Sequence, residues 1–112
     1  MNQTEKVIRQ AAEYARKAGK DITEADIKEK YEEYAQRYGQ ERADIALKNT
    51  LANFKERARL EETRLFSRLR AECLDKYGFA PANRRTFLAE IRENHSMYDT
   101  PAAQEYRRRF MK

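Results

Sequence analysis

The sequence predicts an all-α protein of about five helices, and three observations carry that expectation. Glycine and proline are scarce, three and two in 112 residues, and each stands where a helix should stop or start. Apolar side chains recur at three- and four-residue spacing, the period of one helix face. Residues that cap helices stand just ahead of these stripes, at Thr23, Asn83 and Thr100.

The first helix should span Thr4 to Ala18, with Gly19 as its left-handed stop. Its stripe of Val7, Ala11, Tyr14, Ala15 and Ala18 is mostly small. Thr23 and Asp26 read as a capping pair opening a second helix, with Ile22 stapled onto Ile27. The second stripe, Ile27, Tyr31, Tyr34 and Tyr38, is bulky, and Gly39 closes it. Large side chains facing small ones let two helices approach closely, so residues 4–38 should form an antiparallel hairpin with the tyrosines in its core. The stretch "YARKAGKDITEADI", Tyr14 to Ile27, also resembles the last helix junction of the histone fold. The earlier helices of that fold have no room before it.

From Gln40 to Tyr77 nothing breaks the helical pattern. Leu47, Leu51, Phe54, Ala58, Leu65 and Leu69 form one continuous face, with Cys73 at its edge. A single helix from Glu41 to Lys76 would be ~54 Å long, whereas a compact domain of this length is only ~35 Å across. The helix should therefore either break at "KNT", where Asn49 or Thr50 recaps it, or project and pack on another chain, giving a homodimer. Leu60 and Leu74 fall off the main face and favour such a second contact surface. After Gly78, Asn83 should cap a fourth helix over Arg84 to Asn94, burying Phe87, Leu88 and Ile91. Thr100 caps a last one, with Pro101 at its first position and a narrow stripe of Ala103, Tyr106 and Phe110.

By length the chain is one helical domain, residues 1–112. Charged residues are 38% of it, and Leu, Ile, Val and Phe together number only 18, so the core should be thin. Basic and acidic residues, 24 and 19, nearly cancel to +5, which argues against a disordered polyelectrolyte. Cys73 is the only cysteine, which leaves no intramolecular disulfide. With no apolar run of membrane-spanning length and no signal-peptide core at the amino terminus, a cytoplasmic protein is expected.

Little in the chain points to catalysis, and no cofactor or metal site is expected. Three isolated glycines cannot build a phosphate loop, and no spaced Cys/His set offers metal ligands. His95, near a helix end, reads as a stabiliser of that terminus, and Cys73 as a small core residue. Glu62, at the edge of the long apolar stripe, should bend outward or pair with Arg59 or Lys55.

The basic residues are unevenly placed. Residues 1–39 balance, eight of each sign, whereas residues 79–112 carry seven basic and four acidic side chains. Arg57, Arg64 and Arg68 are interleaved with Glu61 and Glu72, the pattern of a solvated face. The tail differs. Arg84 and Arg85 open a helix whose start is already electropositive, with no carboxylate three or four residues earlier, so they need an anion from elsewhere. With Arg92, Arg107, Arg108, Arg109 and Lys112 they form a candidate phosphate-binding set, arginine offering forked donors. The expected function is a small non-enzymatic binding protein that associates with nucleic acid through these residues, weakly selective for sequence. The alternative is a protein-interaction module (an inhibitor, adaptor or subunit). It would meet an acidic partner or a second copy through the long helix and the aromatic tail, with Leu60, Leu74, Tyr106 and Phe110 at the contact and Tyr98 and Met111 beside them.

Overall fold

The computed structural model describes residues 2–111. Among them are five helices and no strand: α1 (Gln3–Lys17), α2 (Glu24–Tyr38), α3 (Gln40–Tyr77), α4 (Arg84–Glu93) and α5 (Pro101–Phe110). Local chemistry sets the boundaries. Asn2 caps α1 by accepting from the Glu5 amide at 2.8 Å, and Gly19 turns the chain out at a φ of 79°. Thr23 and Asp26 form the reciprocal capping box that opens α2. Hydrogen bonds from the Thr23 backbone amide and then from its side chain hold the Asp26 carboxyl below its ordinary pKa. Gly39, at a φ of 95°, serves both neighbours: its amide closes α2 on the Ala35 carbonyl and its own carbonyl accepts the Ala43 amide of α3. An L side chain is strained in that backbone conformation, so the one-residue joint requires glycine.

The chain divides into two compact units between Glu61 and Glu62. In the first, Val7, Ile8 and Ala11 of α1, Ile27 of α2 and Leu47 of α3 form a core, flanked by Tyr31, Leu51 and Phe54. α1 and α2 pair as the expected hairpin, with Arg9 bridged to Glu24 at 3.4 Å. Only half of the tyrosine stripe joins the core, however. Tyr31 is half-buried and its hydroxyl donates to Asp44 of α3 at 2.6 Å. Tyr34 and Tyr38 stay 39% and 48% exposed. Thr4, in the first turn of α1, already sits opposite Tyr31, so the last turns of α2 run past the end of α1 and find nothing there to cover them.

α3 does not break. Its 38 residues make a helix about 57 Å long. The Thr50 hydroxyl, expected to recap it, donates instead to the Ala46 carbonyl one turn back at 2.9 Å and is satisfied within the helix. The stripe that reads as one face serves two cores in succession: Leu47 belongs to the first, and Leu65, Leu69 and Cys73 to the second. This division accounts for a helix too long for one compact body.

In the second unit those three residues meet Phe87 and Ile91 of α4, Tyr98, and Ala102, Ala103, Tyr106 and Phe110 of α5. Tyr106 lies edge-on to Phe87, with ring centroids 5.7 Å apart, and also meets Phe66 and Phe110. α3 holds the connections as well. Glu72 accepts the Ala102 amide at 2.8 Å, a carboxylate placed where the α5 dipole favours one. Arg70 donates to the Pro81 carbonyl and Lys76 to that of Asp99. Among the described residues no helix is long and apolar enough to cross a membrane.

Candidate nucleic-acid interface

The second unit carries eleven basic and seven acidic residues across 62–112, and its cations are placed by α4 and α5. Asn83 caps α4 by accepting from the Thr86 amide at 2.9 Å, which fixes Arg84 and Arg85 as its first two residues. Three- and four-residue steps then bring Arg84, Leu88, Ile91 and Arg92 onto one side of α4, and His95 follows just beyond its end. From α5 come Arg107 and Phe110, followed by Met111, and together these eight residues line a groove of about 380 Å³. No carboxylate is among them.

The anion that Arg84 calls for comes from α3. Its Nε lies 3.0 Å from Glu62 Oε2, and the same oxygen accepts the Tyr106 hydroxyl at 2.6 Å. The expected pairing of Glu62 with Arg59 or Lys55 does not occur: Arg59 is taken by Glu56 at 2.6 Å and Lys55 sits over the Tyr14 ring. Burial and the Glu62 bond both push the Tyr106 hydroxyl well above the ordinary tyrosine range. The Arg84–Glu62 pair itself is half exposed and adds little stability. Its consequence is electrostatic, since it neutralises one cation at the groove's edge. Glu62→Gln keeps an acceptor for Tyr106 but releases Arg84. We expect polyanion binding to tighten severalfold, with a salt dependence steeper by about one charge and little change in melting temperature. Weaker binding in an oligonucleotide titration would contradict this role.

The other arginines divide. Arg85 and Arg92 are exposed and form no ion pair among the described residues. Arg107 donates through Nη1 to the His95 carbonyl at 2.8 Å, and its Nη2 lies 3.4 Å from His95 Nδ1. That contact ties α5 to the end of α4 without cancelling the charge. Arg108 and Arg109 share Glu105, at 3.0 and 3.5 Å. The Arg109 side chain is only 11% exposed and lies against the Phe110 ring. Of the expected set, then, Arg84, Arg92 and Arg107 line the groove, and Arg85 follows Arg84 on α4. Arg108 and Arg109 are turned to their own helix, and Lys112 lies outside the described residues.

The expected partner contact is corrected in part. Leu60 and Leu74 are exposed, at 53% and 48%, but Tyr106 and Phe110 are 0% and 9% exposed and form the core of the second unit. A narrow aromatic stripe on a short terminal helix looks like a free surface until Leu65, Leu69 and Phe87 cover it. Cys73 is buried as expected, and burial pushes its thiol up. Sequence reasoning missed His95, Leu88 and Met111 as groove residues. The signal for Leu88 was its spacing from Arg84 and Arg92, cations one turn to either side of it on α4. The first unit holds a separate apolar groove of about 570 Å³, with Ile22, Ile27, Tyr34, Leu47 and Phe54 in its lining. It went unforeseen because Tyr34 reads as core.

No protein-family model matches this chain, and no curated protein or solved structure is significantly similar to it.

Proposed function

We propose that this is a small, non-enzymatic helical protein that holds nucleic-acid phosphates on the basic face of α4 and α5. One observation carries the reading: Arg84, Arg92 and Arg107 line a single concavity with no carboxylate among its described lining residues. A cleft lined by one sign of charge concentrates the field and draws in the opposite charge. Guanidinium groups suit phosphate oxygens because they give paired, forked donors. With its arginines assigned to phosphate and no side-chain amide or carboxylate in the lining, selectivity for sequence should be weak. A cytoplasmic setting suits the lone thiol of Cys73, which stays reduced there.

The test is retention on heparin and binding of a labelled oligonucleotide. Three phosphate contacts, at Arg85, Arg92 and Arg107, imply about a twentyfold loss of affinity between about 50 and about 200 mM salt. Absence of binding at the lower salt rules the function out. A second reading, a protein-interaction module that dimerises or meets a fixed partner, is favoured by Tyr34, Ile45 and Leu60, large apolar side chains left 39–56% exposed in the first unit. It requires a melting temperature that rises with protein concentration. A monomeric mass in sedimentation would count against the homodimer.

A further inference from the structure

The geometry points to single-stranded rather than duplex nucleic acid as the ligand of the α4–α5 groove, one unpaired nucleotide seating its base on the groove floor. The inference rests on the phosphate-binding reading above and adds the strandedness of the polymer. It starts from how the groove divides its chemistry. The cations stand at its margins: Arg84 in the first turn of α4, Arg92 in the last, and Arg107 across on α5. The floor is apolar. Leu88 and Met111 are half-buried in the lining, and Ile91 and Phe110 are buried.

A phosphate needs the margin but has no use for the floor. A duplex presents a convex ribbon of phosphates with its bases stacked and paired inside, so docking one here would leave the concavity unfilled and its apolar side chains against charge. An unpaired nucleotide carries both complements, an anionic phosphate and a planar base with an apolar face. The space fits that unit. A groove of about 380 Å³ lies within the range of small-ligand sites. Eight residues of helix place Arg84 and Arg92 about 12 Å apart along the α4 axis, room for a base between them.

His95 supplies a second, independent feature. Its ring is exposed at the groove beside Arg107, and its backbone carbonyl holds the Arg107 guanidinium. Imidazole and guanidinium planes are both surfaces on which splayed bases stack. Stacking is indifferent to base identity, so the groove should grip single strands of any sequence.

The test uses the whole protein with two labelled probes of equal phosphate number, a single-stranded thymidine oligomer and a closed duplex hairpin, at the same salt. The single strand should bind about tenfold tighter. His95→Ala and Leu88→Ser leave every arginine in place, and His95→Ala keeps the carbonyl that holds Arg107. Each should cut single-strand affinity severalfold and leave duplex affinity unchanged, with helicity checked by circular dichroism. Should the duplex bind equally well or better, or should both variants keep the preference, the inference is overturned while phosphate binding stands. If neither probe binds at low salt, the phosphate-binding reading fails as well.

Discussion

Replacing Tyr106 by alanine should unfold the second unit and leave the core of the first in place. Tyr106 is fully buried, its ring meets Phe66, Phe87 and Phe110, and its hydroxyl donates to Glu62. Truncating a buried aromatic ring costs about 3–5 kcal/mol, against a total of about 5–15 kcal/mol for a typical small protein. Here the core is thin and the loss falls wholly within one of two clusters that share no residue. Urea denaturation followed by circular dichroism should therefore show an early transition, with the signal of the α1–α2 hairpin lost later. Tyr106→Phe keeps the ring and should cost only about 1 kcal/mol. A Tyr106→Ala protein that unfolds in one step near the wild-type midpoint contradicts this division of the core.

The same hydroxyl sets an alkaline limit. Burial and the Glu62 bond raise the Tyr106 pKa, and burial and Glu90 do the same for Tyr98. The fold thus disfavours both phenolates. Stability is fully present below the unfolded tyrosine pKa of about 10 and is lost as pH rises above it toward the folded values. Tyr106→Phe should lose less than wild type in that window.

The largest effect on binding is expected from Arg85→Glu combined with Arg92→Glu. Both side chains are exposed and unpaired among the described residues, so the fold should be indifferent to the change. Binding should not be. Two cations become two anions beside the groove proposed to hold phosphate, and the loss should be on the order of a hundredfold. The control is Lys28→Glu with Arg37→Glu, two exposed positions on α2 that shift net charge equally. If the control weakens binding as much, the effect is one of overall charge and the α4–α5 face has no special part in it.

What the sequence revealed follows the range of the forces involved. Gly19, Gly39 and Gly78 all adopt positive φ, and the caps at Thr23, Asn83 and Thr100 form as expected. Each depends on neighbours within a few residues, so five helices were legible to within about two residues at each end. What was not legible depends on distant partners. Glu62 finds Arg84 and Tyr106 rather than the bases one turn away, and periodicity cannot report that pairing. Tyr34 and Tyr106 stand on equally regular stripes, yet one is exposed and the other sealed. The difference is whether another helix reaches that far. The cluster of arginines was visible as composition, and the Glu105 pairs lie within α5, but which cations share a groove needed α5 docked beside α4.

If the groove holds phosphate as proposed, one measurement is decisive: how single-strand affinity varies with salt, for the native chain and for Arg92→Ala. The native slope of log affinity against log salt should be about −2, and removing one contact should make it shallower by about 0.7. A native slope near zero, or one that Arg92→Ala leaves unchanged, would show that these guanidinium groups do not meet phosphate.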